Sequence, residues 1–226
     1  MNTLNCELSS YSALLFDCDG VVLNSNKIKT QAFYNVAVRY GPEHAEALVK
    51  YHVSNGGISR YAKFEYFLQE IVKKKIDEAE LALLLNLFSE EVKKGLLTCG
   101  VAERLDELRE TTRGIPWLIV SGGDQHELRE VFMLRGLDKY FDGGIFGSPD
   151  DKETILSREI LKQGFAKPML FLGDSKYDFE VASVFSLDFV FIRQWSEVRD
   201  LDSWLSHKQI DSLPSVSHLL NIEQVK

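Results

Sequence analysis

Three short polar strings carry most of the chemistry in this sequence. They are Asp17-Cys18-Asp19-Gly20, Ser121-Gly122-Gly123-Asp124, and Gly173-Asp174-Ser175 with Asp178 four residues after Asp174. A lysine, Lys152, falls between the second and third. Asp17, Asp19 and Asp174 brought together would repel one another and need a counter-charge. A hard divalent cation with oxygen ligands supplies it, and Mg²⁺ suits a shell shared with waters and phosphate oxygens. One carboxylate could attack phosphorus, leaving an aspartyl-phosphate. A second, two residues on, could protonate the leaving oxygen and later deprotonate water. Ser121, the backbone N–H of Gly122 and Lys152 would hold phosphate oxygens. Gly20 and Gly122 allow the backbone to turn tightly around the group. Any one of these features alone is ordinary, since an Asp after a strand is commonly a turn or helix-cap residue.

Their joint meaning depends on the elements that position them. Four apolar runs read as buried parallel strands: Ala13–Phe16, Trp117–Val120, Met169–Leu172 and Phe189–Ile192. The first three end directly in the polar strings, and open α/β sheets bind ligands beyond the carboxyl ends of their strands. Helical patterns at Glu127–Leu134, Glu153–Lys162 and Phe179–Phe185 lie between the later runs, which predicts a Rossmann-like, doubly wound α/β sheet. From about Asn24 to Gly95 the pattern changes to amphipathic helices, with Ile28, Ala32, Phe33, Val36 and Tyr40, then Tyr61, Phe64, Phe67 and Leu68, then Leu81, Leu84, Phe88 and Val92 at helical spacing. Gly41-Pro42 closes the first helix, and Asp77 with Glu80 resembles a capping box. The expected organisation is an α/β core of residues 1–23 and 96–226, with an all-helical insert at 24–95.

Composition narrows the partners. The 226 residues hold 26 Lys and Arg against 34 Asp and Glu, a formal net charge of −8. That balance argues against a nucleic-acid footprint, although local cations or a metal can still favour an anion in one pocket. Cys6, Cys18 and Cys99 are too scattered for a disulfide framework or zinc cage. Residues 1–10 lack a basic start and apolar centre, and the longest apolar run, Leu81–Leu85, is far short of a membrane span. The expectation is a cytoplasmic protein with no membrane partner; oligomeric state leaves no sequence signal.

With these motifs in view, the chain resembles the haloacid dehalogenase superfamily. Phe16-Asp17-Cys18-Asp19-Gly20-Val21-Val22 with Asn24-Ser25 looks like motif I, Ser121 like motif II, Lys152 like motif III, and Gly173-Asp174-Ser175-Lys176-Tyr177-Asp178 like motif IV. The insert is similar to the cap of the phosphoglycolate phosphatase and β-phosphoglucomutase branch. The resemblance implies that Asp17 is nucleophile and Mg²⁺ ligand, and that Asp19 is general acid/base and lends a carbonyl to the metal. Asp174 would be a metal ligand, Asp178 would orient the metal site, and Ser121, Gly122 and Lys152 would bind the phosphoryl group. Two departures stand out: Ser148-Pro149-Asp150-Asp151-Lys152 replaces the usual Lys-Pro-x-Pro-Asp of motif III, and Tyr177 stands where Asn is common.

The family's dehalogenases lack an aspartate two residues after the nucleophile, and its phosphonatases carry a small apolar residue there, so Asp19 favours phosphate-ester chemistry. The expected substrate is a small phosphorylated metabolite, a sugar phosphate or phosphoglycolate-like ester. A phosphatase is preferred to a phosphosugar mutase. Asn55-Gly56-Gly57-Ile58-Ser59-Arg60 resembles the mutase cap loop, in which the arginine grips a remote phosphate, so Arg60 is the candidate cap contact. A phospho-accepting receiver module is a remote alternative, opposed by the large insert and by an acceptor after the first strand. His52 and Lys63 could face the pocket but read better as a solvated face, His126 reads as a cap or cover for the pocket, and Cys18 as unreactive between two aspartates. Trp117 reads as core, and Trp195 and Trp204 as a packing face. Residues after about 196 read as helical and then loose.

Overall fold

A computed structural model describes residues 7–223, so Cys6 lies outside the described residues. Six strands, β1 (Leu14–Phe16), β2 (Trp117–Asp124), β3 (Gly144–Ser148), β4 (Leu170–Gly173), β5 (Asp188–Ile192) and β6 (Ser212–Leu213), form one sheet in the order β3-β2-β1-β4-β5-β6. Every pairing is parallel, with Leu14 opposite both Trp117 and Leu170. The helices are α1 (Asn26–Ala37), α2 (Pro42–Ser54), α3 (Arg60–Tyr66), α4 (Glu78–Thr98), α5 (Leu105–Thr111), α6 (Gln125–Leu134), α7 (Lys152–Gln163), α8 (Lys176–Phe185), α9 (Leu201–Lys208) and α10 (Leu219–Glu223).

The apolar runs are continuous because the sheet is covered on both faces. Leu14, Phe16, Trp117, Ile119 and Leu172 point to the side carrying α5, α6 and the helical insert. Leu15, Leu118, Val120 and Phe171 point to the side of α7 and α8, against Ile155, Leu156, Val181 and Ala182. This is the expected doubly wound α/β architecture.

Two strands escape the sequence pattern. β3, Gly-Ile-Phe-Gly-Ser, offers only two large apolar residues, and β6 is a two-residue edge strand. The segment after residue 196 is therefore not simply helical and loose: β6 extends the sheet beside β5, and Trp204 packs edge-on against Phe179 and Phe191, with ring centroids 5.7 and 5.8 Å apart. Trp117 is fully buried, as its place at the start of a strand predicts.

Helices α1 to α4 form a layer over the carboxyl edge of the sheet. Their shared core is aromatic: Phe33 lies 5.2 Å from Phe64 and 4.3 Å from Phe88. Asp77 caps α4 by accepting from the backbone N–H of Ala79 and Glu80, but the Glu80 carboxylate turns to Tyr40 and Lys74, so the reciprocal half of the capping box is absent. The sequence boundary between residues 95 and 96 falls inside α4, which continues to Thr98.

Candidate active site

The strand order reverses between β1 and β4, and that is where the carboxylates collect. Asp17 follows β1 directly and Asp174 follows β4 directly, while Ser121 lies within β2. Helix caps place the remaining two groups. Asp151 caps α7 by accepting from Thr154 N–H, which sets Lys152 at the first helical position. Ser175 and Asp178 cap α8 reciprocally, which turns the Asp178 carboxylate back toward the strand ends.

Lys152 is the hub of this cluster. Its Nζ lies 2.9 Å from Asp17 Oδ1 and 2.5 Å from Asp178 Oδ1, and all three side chains are buried. The two carboxylates raise the Lys152 ammonium above its ordinary range against the opposing effect of burial. Asp178 is fully occupied: its Oδ2 also accepts from the N–H and hydroxyl of Ser175 and the N–H of Asp174. It therefore positions Lys152 and the start of α8. Asp17 is different. Its buried Oδ1 receives no aligned hydrogen bond, and Lys152 touches it only as an ion-pair partner.

Burial pushes the Asp17 carboxyl up, Asp178 and Asp19 add to this, and Lys152 opposes it. Asp174 is also pushed up, by burial and by Asp17 and Asp178, with Asn26 opposing this by donating to its Oδ2 at 2.7 Å. Carboxylate oxygens of Asp17, Asp174 and Asp178 lie within 4.8 Å of one another. Two buried carboxylates pushed up by burial and by neighbouring carboxylates fit a divalent cation, which Asp17 and Asp174 would hold. Gly20 keeps this space open: at φ +79° it adopts a backbone that favours glycine, and a Cβ there would stand 2.0 Å from Asp174 Oδ2.

A cavity of about 60 Å³ lies between this cluster and the helical layer, room for a few waters. Asp17, Asp19, Gly122 and Asp174 line it from below. Ser121 and Lys152 do not reach its wall; they sit behind the lining, with Ser121 Oγ accepting from Gly123 N–H at 3.0 Å. His126 is also absent from the lining. Asp19 accepts from Ser25 Oγ at 2.6 Å and forms an ion pair with Lys29. Burial would raise the Asp19 carboxyl, but Lys29 and Ser25 outweigh it and hold it below its ordinary value. Burial raises the Cys18 thiol well above its usual range and Asp19 adds to this, which leaves it unreactive.

From above, the cavity meets Lys29, His52, Arg60, Lys63 and Phe88. Here the reading of His52 and Lys63 as a solvated face is overturned: both are buried, and Lys63 Nζ lies 2.9 Å from His52 Nδ1. Arg60 reaches the cavity wall but is already engaged. Its guanidinium forms a two-point ion pair with Glu127 of α6, one contact at 3.1 Å, and lies 4.8 Å from the centre of the Phe88 ring. Glu127 also accepts from Ser89 Oγ of α4 at 2.6 Å, and Tyr61 donates to Asp124 at 2.8 Å. The helical layer is thus clasped to the sheet domain. The glycine loop before α3 completes the closure, since a Cβ on Gly122 would stand 2.2 Å from the carbonyl oxygen of Gly57.

The sequence reading passed over Asn26, Lys29 and Glu127. Lys29 carried a signal, because it lies four and seven residues before Phe33 and Val36, on the apolar face of α1. Glu127 carried none, as an acidic residue in the first turn of a helix is common.

A family model for haloacid dehalogenase-like hydrolases matches residues 11–184, which takes in every motif that converges here. The chain is a haloacid dehalogenase-like hydrolase. Among curated relatives of this hydrolase, a phosphorylated carbohydrates phosphatase of Thermotoga maritima is 27% identical over 184 residues, covering 75% of this chain and 79% of the relative. Solved structures share its fold from end to end. A predicted phosphoglycolate phosphatase of Haemophilus somnus superposes with a TM-score of 0.71 at 16% identity, over 95% of this chain and 98% of that one. A β-phosphoglucomutase of Clostridium difficile gives 0.69 at 15% identity, over 96% and 93%.

Proposed function

We propose that this hydrolase is an Mg²⁺-dependent phosphatase of a small phosphate monoester, with residues 24–95 acting as its cap. The observation that carries the reading is Asp17, which lines the cavity beside Asp19 and Asp174 while Lys152 Nζ holds its buried Oδ1 at 2.9 Å. A carboxylate that lines the cavity and is held from behind by a cation is placed to attack phosphorus. The bond formed is Asp17 O–P, and the bond broken is that between phosphorus and the leaving alcohol. Asp19, which lines the same cavity and is paired with the Lys29 ammonium, passes a proton from that pair to the departing oxygen and then takes one back from the water that hydrolyses the acyl phosphate. Lys152 holds Asp17 in place and offsets its charge. When bound, Mg²⁺ would neutralise Asp17, Asp174 and the phosphoryl oxygens together.

The helical layer that roofs the cavity supports a small substrate over a bulky one. The names of the relatives, a phosphorylated carbohydrates phosphatase and a phosphoglycolate phosphatase among them, agree with that class. The mutase alternative asks Arg60 to grip a distant phosphate, and Glu127 already occupies that guanidinium. The deciding experiment assays purified protein with Mg²⁺ on para-nitrophenyl phosphate and a panel of phosphometabolites, following both free phosphate and isomerised sugar phosphate. Release of phosphate that Asp17→Asn abolishes is the expected result. Full activity in Asp17→Asn would remove Asp17 as nucleophile, and isomerisation without phosphate release would favour the mutase.

A further inference from the structure

The cap presents three cations to the cavity, and only one of them lacks an acidic partner among the described residues. Arg60 is bound to Glu127 and Lys29 to Asp19. Lys63 is 2% exposed, and its Nζ meets only His52 Nδ1, at 2.9 Å, and the Phe33 ring, at 5.7 Å. A buried ammonium without a carboxylate is costly, and an arrangement of this kind calls for an anion supplied from outside.

We infer that Lys63, with His52 beside it, is the residue that reads the leaving group, and that it selects phosphate monoesters bearing a second anionic group. This rests on the phosphatase reading and sharpens it. It also moves the specificity role from Arg60, which Glu127 withdraws as a clasp between cap and core, to Lys63 one helical turn later.

Several features agree. The two residues come from different cap helices, α2 and α3, and both line the cavity opposite Asp17 and Asp174. Burial brings the Lys63 ammonium down to about 7, with Lys29 adding to the effect and Asp19 and Asp17 opposing it. His52, pushed well below its usual value by burial and by Lys63, remains neutral and can share a proton with the amine. An incoming anion restores the full charge on Lys63 and gains a charge-assisted hydrogen bond.

Stable phosphonates test this without turnover. Binding of phosphonoacetate, methylenediphosphonate and methylphosphonate is measured by calorimetry in Mg²⁺. Beside its phosphonate the first carries a carboxylate, the second a further phosphonate, and the third neither. Wild type is expected to prefer one of the two probes with a second anionic group over methylphosphonate by about 10- to 100-fold, the span of a hydrogen bond to a charged group. The preferred probe identifies the anion as carboxylate or phosphate. Lys63→Met should erase the preference, Lys63→Arg should keep part of it, and Arg60→Ala should retain it. A wild-type protein with no preference, or a preference that survives Lys63→Met, overturns the inference. Turnover of para-nitrophenyl phosphate reads the phosphatase proposal separately: turnover without a Lys63-dependent preference overturns the present inference alone, and the preference without turnover overturns the phosphatase reading alone.

Discussion

Lys63→Met should stabilise the protein, and by an amount that depends on pH. Lys63 ordinarily titrates at 10.5 and is brought down to about 7 in the folded chain, chiefly by burial. Between those values the unfolded chain binds the proton and the folded chain does not, so stability rises with pH across that window. Below about pH 7 the full penalty applies, because the proton must be carried into the buried site. At 1.36 kcal/mol per pH unit, the shift destabilises the native state by about 4 kcal/mol at pH 7 and by about 2 kcal/mol at pH 9. Methionine has nearly the same volume, keeps the contact with Phe33 and carries no proton. Urea unfolding of both proteins should therefore show the variant more stable at pH 7, with its advantage shrinking by about 2 kcal/mol by pH 9. Parallel pH profiles would refute the reasoning, because they would mean that Lys63 titrates normally and is solvated.

Other perturbations probe the clasp and the floor of the site. Glu127→Gln leaves the Arg60 guanidinium buried without its charge partner and should cost about 3–5 kcal/mol in urea unfolding. Arg60→Met with Glu127→Leu should recover most of that loss, and a small effect of Glu127→Gln alone would show the pair to be solvated. Gly122→Ala drives a methyl into the Gly57 carbonyl, 2.2 Å away, so the cap loop must lift. Activity on para-nitrophenyl phosphate should then fall about 100-fold while far-UV circular dichroism stays unchanged. EDTA should abolish phosphate release, and Mg²⁺ should restore it; activity indifferent to EDTA would remove the cation from the reaction.

The acidic floor of the cavity was legible in the sequence because its carboxylates fall at the ends of buried runs. Asp17 and Asp174 each end a buried run, and a parallel sheet brings the carboxyl ends of adjacent strands together whatever the loops do. Lys152 was legible as the only lysine between Lys139 and Lys162, where motif III falls, whereas the Asp151 cap that sets it at the head of α7 emerges only in the structure. β3 was not, because two glycines and two large apolar residues fall below any useful periodic signal, although pairing with β2 is enough to hold it in the sheet.

The cap cations fell on the other side of that divide for a specific reason. Arg60, Lys63, Phe64 and Phe67 follow the spacing i, i+3, i+4, i+7, which is one face of a helix, and all four are buried. The pattern was present in the sequence, but charge normally marks the outer face, so two cations on the inner face were read as solvated or as bound to substrate. What separates their roles is a residue 67 positions away, Glu127, which the fold brings to Arg60 and not to Lys63. Long-range pairing of that kind has no local signature. It also means that specificity in this cap is set by which cation the core leaves unpaired. Moving the partner should therefore move the specificity: in Glu127→Gln, freed Arg60 becomes a second anion site. The preference for a phosphonate with a second anionic group should then survive Lys63→Met, and a double variant in which it is still lost would show that Arg60 cannot reach the ligand even when released.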